Sequence, residues 1–417
     1  MFETLPPFLV YLAGAALAPL LPQGPARNLT LLAVPLAAAW IILNAPFGTH
    51  AEVTLLGYQL GLFRLDDLSY VFGLVFSLAA FLSLLFAWHV RDTVQQISAL
   101  LYAGAGLAAV FAADLITLFI FWEATAITSV FLIWARRTPG AYFTGMRYLI
   151  VQIGSGVILL AGIILHYRAT GSLAFDKIGL TDTASLLIFI AFGIKCAFPL
   201  LHNWLQDAYP AGTVTGTVVL SAFTTKLAVY ALARGFAGTE ILIYIGAVMT
   251  LFPVFFAAIE NNLRRVLAYS LNNQLGFMVV GIGVGTPLAL NGTVAHAFCH
   301  ILYKALLFMS VGAVLFRTGT AKASELGGLY RTMPLTMIFC VVGAASISAF
   351  PLFSGFVSKS LILSGTGEAG HWLVWAALLV ASVARSSFVA LGLRVGDDVI
   401  ASFEPAAIHV LKGKSRS

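Results

Sequence analysis

Apolar residues in this chain run in long unbroken stretches. They fall near 7–22, 29–46, 69–89, 96–113, 115–135, 143–166, 183–205, 214–234, 239–259, 264–287, 290–316, 333–364 and 372–394. A helix needs roughly 20 apolar residues to cross the hydrocarbon of a bilayer, and most stretches have that length. A transmembrane barrel would read as alternating ten-residue segments, a pattern absent here. Only helices satisfy their own backbone in lipid with continuous apolar runs. The pattern therefore predicts an all-α polytopic membrane protein with about 13 transmembrane helices. One segment differs. Residues 47–68 set Gly48, Gly57 and Gly61 among β-formers, and predict a small hairpin outside the membrane.

Composition agrees with this reading. Of 417 residues, 60% are hydrophobic and only 10% charged, with a mean hydropathy of +0.96. Soluble domains carry about 25% charged residues, so a stack of soluble domains is excluded. The net charge of +6 would suggest nucleic acid in a soluble protein. Here most Lys and Arg sit between apolar runs, where they set orientation, and no basic stretch is interleaved with aromatics.

Arg27, Arg91, Arg136, Arg137, Arg264, Arg265, Arg317, Lys322 and Arg331 follow odd-numbered helices. Only Arg64, Arg168, Lys177 and Arg234 follow even-numbered ones. By the positive-inside rule the N-terminus lies outside and the C-terminus in the cytoplasm, and the expected location is the cell inner (plasma) membrane. Glu3 precedes the first run without any Lys or Arg, the wrong start for a cleaved signal peptide. Cys196, Cys299 and Cys340 fall inside apolar runs without metal-ligand spacing, and read as free buried thiols.

The sequence AFPLLHNW at 197–204 recurs as AFPLFSGF at 349–356. Pro199 and Pro351 each interrupt a long apolar run. Proline removes a helix hydrogen bond, which a membrane tolerates where the backbone faces protein or a wet cavity. Paired broken helices in two halves of a chain point to an ion path.

Ionisable groups inside a membrane are costly and call for an explanation. Glu123 lies mid-run in LITLFIFWEATAITSVFLIW, Lys195 four residues before Pro199, and Lys226 in TVVLSAFTTKLAVYALA. His296, His300 and Lys304 follow one another at four-residue steps on one helical face, and Lys359 follows the second break. Any one of these could be a snorkelling side chain or a structural pair. Together they form a lateral row of titratable sites. Desolvation disfavours a charged lysine and a neighbouring carboxylate favours it, so movement of Glu123 relative to Lys195 would load or unload a proton.

The two histidines have zincin spacing, but residue 297 is Ala where a Glu would stand. No metal site is expected. Thr217, Ser221, Thr224 and Thr225 near Lys226, and Asn272, Asn273 and Gln274 in the tenth run, read equally well as plain interhelical hydrogen bonds. The GIGVGT stretch at 281–286 has no strand before it and is not a nucleotide loop. No nucleophile–base constellation, Cys cluster or haem motif appears. The chain is expected to hold no cofactor and to be a transporter component rather than an enzyme.

Four stretches carry a resemblance: FWEATAITSVFLIW, IKCAFPLLHNWLQDAYPAGTVTGTVVLSAFTTKLAVYALARGF, RRVLAYSLNNQLGFMVVGIGVGTPLALNGTVAHAFCHILYKALLF and PLFSGFVSKSLI. They resemble the antiporter-like membrane subunits of respiratory complex I, membrane-bound hydrogenases and Mrp-type cation/proton antiporters. The wording looks most like the D subunit of the Mrp type. The resemblance implies that Glu123, Lys195, Lys226, His300, Lys304 and Lys359 translocate protons or ions, with His296, His202, Asp207, Pro199 and Pro351 in support.

It also implies two inverted five-helix repeats, each a half-channel. Residues 1–95 would hold the first three helices and the hairpin, 96–235 and 236–395 the repeats, and 396–417 a polar tail. Family members continue into a further helix, so that tail reads as open to truncation. The expected function is the proton-translocating subunit of a multisubunit Mrp-type antiporter exchanging Na⁺ or K⁺ for protons. Its partners would be other membrane subunits and the lipid bilayer, with no nucleic acid. The alternative is a proton-pumping subunit of a complex I-like oxidoreductase or hydrogenase. An accessory part in inorganic-carbon uptake, or a purely structural scaffold, is weaker.

Overall fold

The computed structural model describes residues 4–391 and two short segments, 399–404 and 407–412, with side chains described through residue 382. Seventeen helices are assigned among the described residues: α1 (Pro7–Leu17), α2 (Pro25–Asn44), α3 (Asp67–Phe86), α4 (Thr93–Phe111), α5 (Leu115–Trp134), α6 (Pro139–Thr170), α7 (Thr183–Lys195), α8 (Asn203–Ala211), α9 (Val214–Ala222), α10 (Thr224–Gly235), α11 (Ile241–Ile259), α12 (Leu263–Val284), α13 (Pro287–Thr318), α14 (Leu329–Thr332), α15 (Pro334–Ile347), α16 (Ser354–Glu368) and α17 (Trp372–Leu391). Between α2 and α3, strands β1 (Gly48–Leu55) and β2 (Tyr58–Leu65) pair antiparallel. This is the expected hairpin, closed by Leu56 and Gly57 at φ 52° and 84°, the positive-φ pair of a two-residue turn. Within the expected polar tail, strands β3 (Val399–Glu404) and β4 (Ala407–Lys412) pair antiparallel, and its other residues lie outside the described ones.

The chain is a polytopic helical membrane protein. Among the described residues, eight helical spans, counting α9 and α10 together, are long and apolar enough to cross a bilayer, and four shorter apolar helices accompany them. Its surface shows why the composition is so apolar. On α6, Phe143, Ile150, Val157 and Ile164 face outward, while Lys195, Lys226, Lys304 and Lys359 inside the bundle are at most 1% exposed. Lipid-facing surfaces invert the soluble rule in this way.

Helix ends follow local chemistry. Asp92, Asp114, Thr138, Asp182, Thr213, Asn262 and Thr286 each cap a helix by accepting from a first-turn backbone N–H. Gly171, Gly285 and Gly319 end helices in the left-handed conformation.

The internal repeat extends well beyond the AFPL words. α4 and α11 are both 19 residues long and start 148 positions apart. α6 and α13 are both 32 residues long at the same offset, each opening on a Thr cap and a Pro. The isolated bridges Asp114–Ala174 and Asn262–Lys322 repeat with it.

At the two proline breaks the backbone repeats with an offset of 152. Ala197 and Leu200 have φ of 60° and 69°, and Ala349 and Leu352 have 56° and 74°. The bonds Ala197 N–H to Ile194 O, Phe198 N–H to Gly193 O and Leu201 N–H to Phe198 O recur as Ala349 to Ser346, Phe350 to Ala345 and Phe353 to Phe350. The four-residue slip falls between α6 and α7. The order of elements repeats as well: α4, α5, α6, α7–α8 and α9–α10, then α11, α12, α13, α15–α16 and α17.

The runs 183–205 and 333–364 thus divide at their prolines, which is why α7 and α15 are short. α13 lies against α3, α9, α12, α15 and α16, and so joins the two repeats. α11 and α12 approach closely at Gly246 and Gly276, where a Cβ on either would press on the other's backbone carbonyl at 2.7 Å.

Candidate functional site

The interior of the bundle is lined by the ionisable residues singled out above. Lys195, the last residue of α7, donates to the backbone carbonyl of Trp122 and to Thr125 Oγ1 at 2.7 Å. Its ammonium also lies 4.4 Å from the centre of the Trp122 ring, a cation–π distance. Trp122 is fixed in turn: its indole donates to Ser155 Oγ at 3.0 Å, and Ser155 donates to the Ala191 carbonyl at 2.9 Å. Three helices, α5, α6 and α7, are joined through that pair.

Glu123 stands between the two residues that hold Lys195. Its carboxylate is half-buried and turns to α6, where Oε1 has no hydrogen-bond partner among the described residues. Gly156 makes the room, since a Cβ there would fall on Oε1. Lys195 and Glu123 are therefore neighbours without being a contact ion pair. A small rotation of either side chain would change their mutual field, which is strong where water is scarce.

Lys226, in the first turn of α10, donates to the Ser221 carbonyl at 2.6 Å. In the second repeat Lys304 donates to Ser270 Oγ at 2.7 Å. Lys359, on α16, donates to the Ile347 carbonyl at 2.9 Å, where α15 ends before its break. Lys359 also lies 4.8 Å from the centre of the Phe277 ring. His296 pairs through Nδ1 with Ser358 Oγ at 2.9 Å, and its ring stacks on His300 at 6.0 Å.

His300 meets the Tyr303 ring edge-on at 5.3 Å, and the Tyr303 hydroxyl donates to Gln274 Oε1 at 3.3 Å. Gln274 donates to Asn273, and Asn273 to the Thr250 carbonyl. Hydrogen bonds and ring contacts thus lead from α16 through α13 and α12 to α11.

The supporting residues divide. Pro199 and Pro351 lie in the two breaks, where φ turns positive two residues before and one after each. His202 follows the first break and packs edge-on against Phe252 at 4.6 Å. Asp207 belongs to an end of the bundle: it pairs with Arg147 at 3.1 Å and Arg265 at 3.4 Å. It anchors α8 away from the lysines. Of the three cysteines only Cys196 is fully buried, while Cys299 and Cys340 are half-buried.

Several buried polar groups carried little sequence signal. Arg264, counted with the loop charges, is 3% exposed. It donates to the carbonyls of Pro210, Gly212 and Thr213 at 2.8, 3.0 and 3.1 Å, and to Thr217. Arg27 is buried too. Positive-inside counting treats every loop arginine as solvated, so neither could be found that way. Gln152 on α6 is fully buried with both amide atoms unpaired among the described residues. A glutamine inside an apolar run was its only mark.

The family described as NADH:quinone oxidoreductase/Mrp antiporter, transmembrane, matches residues 112–384. The N subunit of the NADH-quinone oxidoreductase of Desulforudis audaxviator is 34% identical over 305 residues, which cover 68% of this chain and 61% of that protein. The D subunit of the Na⁺/H⁺ antiporter of Alkalihalophilus pseudofirmus is 29% identical over 288 residues, covering 64% and 58%. The chain thus spans about three-fifths of the length of these curated relatives. The structure of an Mrp complex from Dietzia sp. DQ12-45-1b superimposes with a TM-score of 0.79 at 25% identity, over 93% of this chain and 75% of that one. The protein belongs to the transmembrane-subunit family shared by NADH:quinone oxidoreductases and Mrp antiporters.

Proposed function

We propose that this chain is the proton-translocating membrane subunit of a multisubunit Mrp-type antiporter that exchanges Na⁺ or K⁺ for protons. The observation that carries the reading is the Glu123–Lys195 arrangement at the first helix break. A fully buried ammonium is held by a carbonyl and a hydroxyl, with an unpartnered carboxylate oxygen beside it. A purely structural charge would be expected to sit in a contact ion pair, because isolated buried charge is costly. Here the lysine and the carboxylate are poised to exchange a proton when their distance changes.

In this account the repeats, 96–235 and 236–395, form two half-channels. Protonation of Glu123, Lys195 and Lys226 in the first is coupled to Lys304 and Lys359 in the second, with His296 and His300 between them on α13. Cytoplasmic cations leave as external protons enter. Asp207 and its arginines hold α8 at one end, and the proline breaks supply carbonyls inside the membrane. The N-terminus lies outside and the C-terminus in the cytoplasm of the plasma membrane. Other membrane subunits complete the transporter, and the chain performs no covalent chemistry.

A second reading, the membrane arm of a redox-driven pump, has its own support in the 34% identity to an NADH-quinone oxidoreductase chain. Both use the same row of titratable groups and differ in what drives it. Purification of the native complex in mild detergent, with mass spectrometry of the co-eluting chains, separates them. Small cofactor-free membrane proteins are the expected companions. Flavin or iron–sulfur proteins would replace the antiporter reading with the redox one.

A further inference from the structure

The helix that carries Lys226 is also broken, and without a proline. α9 ends at Ala222 and α10 begins at Thr224, with Phe223 between them at φ −105° and ψ −67°. The gap is filled from another helix. Tyr102, on α4, is fully buried. Its hydroxyl oxygen accepts from the Thr224 backbone N–H at 2.9 Å and pairs with Thr224 Oγ1 at 2.5 Å. The Leu220 carbonyl, which the Thr224 N–H would reach in an unbroken helix, stands 3.5 Å from the same hydroxyl. A side chain inserted into the i→i−4 ladder is a recognised cause of a helix kink.

Packing fixes the wedge. The ring of Phe223 meets Tyr102 at 5.2 Å and Phe76 at 5.0 Å, both edge-on. Beyond the gap, Lys226 Nζ donates to the Ser221 carbonyl. A continuous helix would give that carbonyl to the N–H of Thr225. The interruption therefore frees the acceptor that the lysine uses.

We propose that Tyr102 is a positioning residue for Lys226: its hydroxyl keeps the helix open between Leu220 and Thr224, and the open turn offers the Ser221 carbonyl to the ammonium. The inference rests on the reading of Lys226 as part of the proton path. Phenylalanine at position 102 would fill the same space. The Thr224 N–H could then return to Leu220, the Thr225 N–H would take the Ser221 carbonyl, and Lys226 would lose its place.

The test compares Tyr102→Phe and Lys226→Ala with the unaltered chain, each expressed in the full complex. Three quantities are measured: assembly on native gels, proton-coupled transport in inside-out vesicles, and backbone hydrogen exchange across residues 214–235. Tyr102→Phe is expected to assemble normally and to transport slower by roughly tenfold or more. Its 214–235 segment should exchange more slowly, because the ladder closes. Loss of a merely structural hydrogen bond would speed exchange instead. Full transport by Tyr102→Phe, or unchanged or faster exchange, overturns the proposal. Failure to assemble also overturns it, since the hydroxyl then serves the fold and not the lysine. Full transport by Lys226→Ala contradicts the functional reading beneath it, an outcome distinct from the others.

Discussion

Lys195 Nζ reaches the hydroxyl of Thr125 at 2.7 Å, joining the end of α7 to α5 two residues past Glu123. The contact spans a gap of 70 residues and brings together the only carboxylate and the first lysine of the row. It also leaves the carboxylate unshared, so either group can change its charge without breaking a direct bond between them.

Lys195→Met removes the charge and keeps most of the side chain's volume. The Trp122 carbonyl and the Thr125 hydroxyl each lose one partner, a cost of about 1–3 kcal/mol per buried group. Assembly should survive while proton-coupled transport falls to background, read as cation-driven pH change in vesicles beside a native gel. Loss of the assembled complex would mark the lysine as structural.

Gly156→Ala separates stability from function. Alanine improves a helix interior by up to about 1 kcal/mol over glycine. Its Cβ would displace the Glu123 carboxylate, the far end of a flexible side chain. Thermal stability should hold or rise while transport drops. Unchanged transport would show that the position of Glu123 is immaterial.

Arg264→Ala should be costly. It leaves the carbonyls of Pro210, Gly212 and Thr213 without this donor, and buried acceptors cost about 1–3 kcal/mol each when deprived. Arg265→Ala is the control: its partly exposed pair with Asp207 is worth roughly 0–1 kcal/mol. A lower thermal midpoint is expected for the first and almost none for the second. Arg264→Lys should recover only part, because an ammonium cannot reproduce the planar fork. Equal midpoints for both alanine variants would refute the clamp.

Much of the fold was legible because its signals are local. Each apolar run became a helix or a helix pair. Gly57 marked a real turn, and Pro199 and Pro351 marked real breaks. The matching of AFPL words extended to φ angles and hydrogen bonds because the same residues face the same steric limits in both copies.

What stayed hidden depends on partners far away in the chain. The run 214–234 reads as continuous, and only Tyr102, from α4, reveals that it is interrupted. Arg264 reads as a loop charge until the end of α8 folds over it. Asp207 lies within the resembling stretch, yet it meets surface arginines and not the lysines. Titratable residues announce themselves by type, but which of them meet is decided by tertiary packing.

The central claim is that this buried row couples cation movement to proton movement. The most direct measurement places the purified native complex in liposomes with a pH-sensitive dye inside, and imposes a Na⁺ or K⁺ gradient with no electron donor present. The account predicts a pH change that follows the gradient and disappears with Lys195→Met. A pH change that requires an electron donor, or one that Lys195→Met leaves intact, would contradict it.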